Sequence, residues 1–219
     1  RREIRELSQD ERTKFFNAVK VIYQNNAVGS IYSNFTATHY NFQQYAHGVP
    51  AFLPWHRFFL NQFEIELKKV DSSITIPYWD WSKDSQAPET SVIFSQDYFG
   101  GNGDSETGCV NSGYFSGWKV QIPEEKCLQR KFNGGDKIGS WYSPAMIENL
   151  LKNNRESYDQ FRNALEGSPH AAPHTNIGGD MSQMYSTNDP LFFMHHAFVD
   201  LIWWEWQQRN PNLALTYNG

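Results

Sequence analysis

The chain of 219 residues has little of what marks several common classes of protein. It contains no apolar run of the roughly 18 to 20 residues that a membrane helix needs, so no membrane span is predicted. Its net charge is −5, which argues against the basic surface of a nucleic-acid-binding protein. It has no repeats and no low-complexity tract, and 16% of its residues are aromatic. Such a composition can bury enough apolar surface to offset chain entropy, so we expect a folded globular domain.

Cysteine is also scarce, because the chain has two, Cys109 and Cys127. Both lie in a Gly-rich and Ser-rich middle region, where a covalent link compensates for the small number of helical contacts. We therefore predict a disulfide between them rather than two reduced thiols, and a secreted or extracellular protein. The glycosylation sequon at residues 34–36 is consistent with that setting. The chain begins with Arg1 rather than Met, which we interpret as the mark of a processed or excised piece.

The pattern of apolar residues predicts a mainly α protein with little sheet. Ser8 and Glu11 form a capping box at the start of the first predicted helix. The predicted helices cover residues 9–23, a stretch from just after Pro54 to 70, 144–151, a stretch around 158–165, and 190–208. Gly, Pro and Ser interrupt the pattern between 74 and 127, so long surface loops are predicted there.

Histidine is absent from residues 57–169, and the seven histidines fall in the windows 39–56 and 170–196. His56 lies on the apolar face of its predicted helix, where a buried imidazole needs partners for both nitrogens. A hydrogen-bonded core residue is the simpler interpretation of any single buried histidine. Two windows with at least three histidines each, in segments predicted to pack together, favour metal binding instead.

The spacing within the second window narrows the possible ligands. His170 and His174 are four residues apart, so on a helix their rings point the same way and suit a shared metal. His195 and His196 point about 100° apart on a helix, so only one of them can face a given metal, and the periodicity leaves both open. Three histidines from each half of the chain would form a dinuclear site, and imidazole ligands suit copper, zinc and sometimes iron.

Three segments resemble the tyrosinase family. Residues 47–60 (HGVPAFLPWHRFFL) and 76–81 (IPYWDW) are similar to its first copper-binding region, and residues 188–200 (NDPLFFMHHAFVD) to its second. The resemblance extends over about residues 5–209. It implies a type 3 copper protein, with a four-helix bundle and long loops around a dinuclear copper site. It also implies a single tyrosinase domain over residues 1–219, with a first copper region at about 35–81, a second at about 161–209, and no C-terminal shielding domain.

The resemblance assigns the metal ligands residue by residue. It implies two copper ions with dioxygen or peroxide as a bridging ligand. It places His39, His47 and His56 on one copper ion and His170, His174 and His196 on the other. His195 is then a core residue beside the site.

Further positions are implied to serve the substrate. Glu166 matches a glutamate that helps to deprotonate phenols through a held water, although an ordinary glutamate at a helix end is the alternative. Met184 and Phe192 are expected beside the substrate pocket, with core filling as the alternative for each. Asp200 lies in a very apolar helix and needs a partner, for which we expect Arg57.

Two departures from the family pattern bear on activity. Ala171 stands at the edge of the expected pocket, where many members carry an Asn that works with the glutamate, so phenol hydroxylation is less expected than catechol oxidation. Tyr45 stands where other members have a thioether-forming Cys. The predicted function is therefore the oxidation of small catechols to o-quinones with dioxygen, with monophenol hydroxylation as a further activity. The alternatives are a haemocyanin-like oxygen carrier and a non-catalytic structural relative that binds zinc or no metal.

Overall fold

The first helix begins where the sequence supplies a cap. In the computed structural model, which describes residues 1–24 and 29–218, helix α1 spans Gln9–Tyr23. The Ser8 hydroxyl accepts a hydrogen bond from the backbone N–H of Glu11, and the Glu11 carboxylate accepts one from the N–H of Ser8. These bonds satisfy two of the N–H groups that a helix start leaves free. The predicted bounds of this helix are confirmed.

The remaining helices include three that were not predicted, the second, third and seventh along the chain. The structure has α2 at Ile31–Asn41, α3 at Gln43–Ala46, α4 at Phe52–Val70, α5 at Pro144–Asn153, α6 at Tyr158–Leu165, α7 at Ala171–Ile177 and α8 at Leu191–Arg209. The predictions for α5, α6 and α8 agree with these bounds to within two residues. No helix in the described part of the chain combines the length and the apolar character needed to cross a bilayer.

Helix α4 starts earlier than predicted. We expected it to begin after Pro54, but it begins at Phe52, and the N–H of Trp55 already donates to the carbonyl of Ala51. A proline is tolerated in the first helical turn, because the N–H that it lacks has no partner there. Pro54 is therefore inside the helix rather than ahead of it.

The connection between α6 and α7 is a π-helical turn over Glu166–His170, with Pro169 inside it. A π turn inserts an extra residue, and such turns are frequent at functional sites. His170 ends this turn and His174 lies in the helix that follows, so the two stand on one continuous helical stretch, as expected.

Aromatic contacts hold four helical segments together. The Phe63 ring of α4 stacks on Phe193 of α8 at 3.6 Å between ring centroids, and Phe35 of α2 meets both edge-on. Phe161 of α6 stacks on Trp206 of α8 at 4.8 Å. The segments α2, α4, α6 with α7, and α8 thus form the bundle, and the predicted mainly α, four-helix fold is confirmed.

The region between α4 and α5 consists mostly of loops and short turns, as predicted. Its sheet is one antiparallel pair, β1 at Lys119–Val120 and β2 at Lys126–Cys127. The predicted disulfide between Cys109 and Cys127 is present. It links the end of β2 to a second stretch of the loop region.

A buried ion pair fixes these loops to the start of α8. Arg130 and Asp189 are both 0% exposed in their side chains. The Arg130 guanidinium donates to both carboxylate oxygens, from Nε at 2.7 Å and from Nη2 at 2.9 Å, which is the bidentate geometry of a strong charged pair. Its remaining nitrogen, Nη1, donates to the carbonyls of residues 99–101. Asp189 also accepts from the N–H of Leu191, the first residue of α8.

Candidate metal centre

The bundle brings the two histidine windows together as two groups. The first group is His39, His47 and His56, and the second group is His170, His174, His195 and His196. Within each group, one ring nitrogen from every member lies within 4.8 Å of the others. The rings of His56 and His196 stack at 4.3 Å between centroids, so the two groups are direct neighbours.

Most of these rings are oriented by backbone carbonyls. Three histidines place Nδ1 on the carbonyl four residues earlier in their own helical segment: His47 on Gln43 at 3.1 Å, His56 on Phe52 at 2.8 Å and His170 on Glu166 at 3.1 Å. The Nδ1 atoms of His39 and His174 instead lie 2.7 Å from the carbonyls of Met184 and Met181. A carbonyl can only accept, so each of these five Nδ1 atoms carries the hydrogen.

This arrangement leaves unshared electron pairs facing each other in the first group. A neutral imidazole has one N–H, and His39 and His56 both use it on a carbonyl. Their Nε2 atoms are 3.4 Å apart, with an acceptor on each side and no hydrogen between them. A cation bound between these nitrogens would turn this repulsion into two coordinate bonds.

The second group has a different deficit, because it contains buried ring nitrogens without a partner. The Nε2 of His174 lies 3.2 Å from the Nε2 of His196. The Nε2 of His170 is buried and has no hydrogen-bond partner among the described residues. A buried acceptor without a partner costs free energy, and a metal ion supplies one.

Burial keeps these rings in the form that binds metals. Desolvation lowers the pKa of His39 to about 3 and that of His174 to about 4. It also lowers the pKa values of His56, His170 and His196 well below the usual histidine value. At neutral pH the rings are therefore uncharged, and their Nε2 electron pairs are free to bind a metal.

Comparison with known proteins identifies the family of the chain. The family model for the common central domain of tyrosinase matches residues 29–209. The chain belongs to the tyrosinase family. Tyrosinase ustQ of Aspergillus flavus is 36% identical, over 100% of this chain and 67% of its own length.

Solved structures of related proteins share the fold. A polyphenol oxidase variant from Thermothelomyces thermophila superposes with a TM-score of 0.79 at 26% identity, over 94% of this chain and 69% of its own. A functional unit of Octopus hemocyanin has a TM-score of 0.68 at 20% identity, over 100% of this chain and 56% of its own, and shows the fold alone. The chain is thus a type 3 copper oxidoreductase of the tyrosinase family, and its two histidine groups fit a dinuclear copper site.

The two adjacent histidines of α8 make different ring contacts, and this difference bears on which of them is a metal ligand. His196 stacks on His56 of the first group. The ring contacts of His195 are instead with its own group and with Trp81. The ring of His196 therefore contacts the first group directly, whereas the ring contacts of His195 stay within its own group and with Trp81.

The predicted catalytic glutamate lies between the two groups. One carboxylate oxygen of Glu166 accepts a hydrogen bond at 2.6 Å from the N–H of Gly48, the residue after His47. The other accepts at 3.0 Å from the Arg162 guanidinium. Its backbone carbonyl accepts from Nδ1 of His170, so Glu166 contacts both halves of the site.

The three residues predicted to border the substrate pocket differ in how deeply they are buried. Phe192 is fully buried, with its ring centroid 4.1 Å from His196 and 5.0 Å from His39. Ala171 is half-buried and follows His170 directly. Met184 is 43% exposed, whereas Met181 is buried.

The structure confirms the predicted partner of Asp200. The Nε of Arg57 donates to one carboxylate oxygen of Asp200, and Arg1 donates to the other at 2.8 Å. Arg57 follows His56 in α4, and Asp200 lies one turn after His196 in α8. The ion pair between Arg57 and Asp200 therefore links the two helices whose histidine rings stack.

The sequence interpretation missed several residues that shape the site. Arg162 carried a signal, since an arginine four residues before a glutamate on a helix indicates an ion pair. The carbonyls of Met181 and Met184 carried none, because a backbone oxygen is present in every residue type.

Proposed function

We propose that the chain oxidises o-diphenols to o-quinones with dioxygen. Two catechols lose two electrons and two protons each, and one dioxygen is reduced to two waters. Bound copper supplies the exchange of electrons with dioxygen. The residues proposed to hold it are His39, His47 and His56 for one ion, and His170, His174 and His196 for the other.

The pair of facing Nε2 atoms of His39 and His56 carries the proposal. Their separation of 3.4 Å, with both hydrogens committed to carbonyls, supports a cation in the group, because a cation would remove the repulsion between two acceptors. The orientation of His196 toward the first group supports its place in the ligand set over His195. Histidine ligands that leave positions open are typical of catalytic rather than structural metal sites.

One histidine from each group marks the side from which a substrate approaches. His47 and His174 are half-buried, whereas the other members of both groups are buried. Exposed Gly48 and Met184 lie next to this side of the site. A small phenolic ring entering here would meet both metal positions while Phe192 closes the site from within.

Glu166 is proposed to accept the proton of the substrate hydroxyl. Each of its carboxylate oxygens already accepts one hydrogen bond, and each retains a second electron pair for a hydroxyl or a water. Arg162 and Gly48 fix the carboxylate in place, so it requires no reorganisation during proton transfer. Ala171 offers no polar group beside it, which favours catechols over monophenols as substrates.

Two neighbouring variants test the ligand assignment. Purified protein is loaded with copper, its copper content is measured, and oxygen uptake is followed with catechol and separately with tyrosine. We expect two copper ions per chain and uptake with catechol. His196→Gln should lose one copper ion, whereas the matched variant His195→Gln should keep both.

Other outcomes would point to other functions. Two bound copper ions without oxygen uptake would favour an oxygen carrier. A protein that binds no copper, or binds zinc alone, would favour a structural relative. Equal copper loss in both histidine variants would overturn the assignment of His196.

We also propose that the protein is secreted and functions in an oxidising compartment. The disulfide between Cys109 and Cys127 supports this, because such bonds are rare in reducing compartments. Alkylation of the native protein followed by mass spectrometry tests it. Two alkylated cysteines in protein taken directly from its source would contradict the proposal.

A further inference from the structure

Two histidines from different groups depend on one short segment. His47, His56 and His170 are oriented by carbonyls of their own helical segments. His39 and His174, which are 135 residues apart, donate to the carbonyls of Met184 and Met181, each at 2.7 Å. We call residues 178–184 the bridging segment, because it accepts a ring hydrogen from one histidine of each group.

Asp180 anchors the bridging segment inside the protein. Its side chain is 0% exposed. One carboxylate oxygen accepts from the backbone N–H of Gln129 at 2.8 Å. The other accepts from the Asn188 amide at 2.9 Å and lies 3.2 Å from the Lys126 ammonium. The carboxylate therefore joins the segment to the loop region on one side and to the approach to α8 on the other.

The backbone just before Asp180 is closely packed and has little freedom to move. Gly178 and Gly179 have φ values of +66° and +56°, which favour glycine. A Cβ on Gly178 would lie 2.1 Å from the carbonyl oxygen of Lys131, and one on Gly179 would lie 2.2 Å from that of Gln129. The N–H of Asp180 donates to the Gln129 carbonyl at 2.9 Å. The segment thus rests directly on the backbone of residues 129–131.

We propose that Asp180 is a positioning residue that sets the ring orientation of His39 and His174 together, and so adjusts both metal positions at once. The proposal rests on the ligand set given under Proposed function. The carbonyls of Met181 and Met184, which accept from His174 and His39, lie one and four residues after Asp180. A shift of Asp180 therefore moves both hydrogen-bond acceptors. The three histidines that are oriented by their own helical segments have no such dependence.

The first experiment observes the rings without metal. Histidine labelled with ¹⁵N reports by NMR which ring nitrogen carries the hydrogen. In metal-free Asp180→Asn and Asp180→Ala we expect the signals of His39 and His174 to change, with the larger change in the Ala variant. The signals of His47, His56 and His170 should keep their Nδ1–H form.

The matched control is Asp84→Asn. Asp84 is also a mostly buried carboxylate, and it accepts from the Trp79 indole, the Ser91 hydroxyl and Arg5. It should lower stability without changing the histidine signals. If Asp180→Ala does not fold, Lys126→Met removes the ionic partner of Asp180, together with the hydrogen bond from Lys126 to the Gln129 side chain, and should give a smaller change at the same two histidines.

Copper affinity is the second readout. Loss of a group that orients a metal-bound histidine weakens binding by roughly 10- to 100-fold. Competition titration with a coloured chelator should therefore show both copper ions of Asp180→Asn bound at least tenfold more weakly. Asp84→Asn should match the wild type.

The outcomes separate this inference from the proposed function. A folded Asp180 variant in which neither His39 nor His174 changes, in which only one changes, or in which all five histidines change would overturn it. Those readings come from metal-free protein, so they hold whether or not the wild type oxidises catechol. A wild type that binds no copper would overturn the proposed function and leave the NMR result standing.

Discussion

Replacing Asp189 with Asn tests how much the buried pair with Arg130 contributes to the fold. The substitution keeps the shape of the side chain and removes its charge. Arg130 would then be a buried cation without a counter-charge, and one of its two hydrogen bonds to residue 189 would meet an amide N–H. The carbonyls of residues 99–101 that contact Nη1 cannot replace the missing carboxylate.

The structure sets the size of the effect. Both side chains are 0% exposed, and removing one partner of such a pair costs about 3 to 5 kcal/mol. For a chain of this length, each kcal/mol corresponds to roughly 2 to 4 °C in melting temperature. We therefore expect Asp189→Asn to lower the Tm by about 6 to 20 °C.

Urea denaturation followed by tryptophan fluorescence measures the free energy of unfolding, with refolding confirmed on dilution. The control is Glu148→Gln, which breaks the pair with Arg209 on the surface, where the side chains are 40% and 36% exposed. It should lower the free energy of unfolding far less than Asp189→Asn, because exposed ion pairs contribute little to stability. A loss below about 1 kcal/mol in Asp189→Asn would refute the reasoning, because it would mean that water or another group compensates Arg130.

Three further predictions concern the site and the loops. Glu166→Gln should lower the kcat for catechol by about 100-fold or more, as loss of a general base does, while metal analysis still finds two copper ions per chain. Ala171→Asn should raise tyrosine hydroxylation relative to catechol oxidation by roughly tenfold, the equivalent of one charge-assisted hydrogen bond, in initial rates of oxygen uptake. Replacing Cys109 and Cys127 with Ser should lower the free energy of unfolding in urea by about 3 kcal/mol, since the bond closes a loop with a sequence separation of 18.

Each of these three predictions has a matched control experiment. Asp159→Asn removes the other carboxylate that pairs with Arg162, so an equal fall in kcat there would show that Glu166 acts only through this arginine. Ala172→Asn places the same amide one residue further along and should not change the ratio of rates. Reduction of the wild type with dithiothreitol should reproduce the loss seen without the cysteines, and an unchanged urea midpoint would contradict the disulfide prediction.

Local sequence signals located the helices that carry their own caps. Helix α1 is bounded by the Ser8 capping box, and α5 starts after the Ser143 cap with Pro144 at its first position. The clustering of the histidines located the site itself, because the residues that bind a metal must be of particular types. The choice between His195 and His196 came from the family resemblance, and periodicity alone left it open.

The features that could not be predicted from the sequence depend mostly on contacts between residues far apart in the chain. Helix α2 is rich in Ser, Thr and Asn, which are weak helix formers, and it is stabilised by Phe35 packing against α4 and α8. Arg130 and Asp189 are 59 residues apart, and nothing near either one indicates the other. The early start of α4 was missed because Pro54 was interpreted as a boundary rather than as a residue of the first turn.

The use of main-chain oxygens to orient five histidines has a consequence for how this site can diversify. A carbonyl stays in place when its own side chain is exchanged, provided that the backbone keeps its path. The side chains of Gln43 and Met184 can therefore vary during evolution while His47 and His39 keep their hydrogens on Nδ1. At exposed Met184, which lies on the proposed side of approach, such a change alters the shape and polarity offered to a phenol. Selection for a new substrate can thus act on the rim of the site without a loss of metal binding that would have to be repaired first.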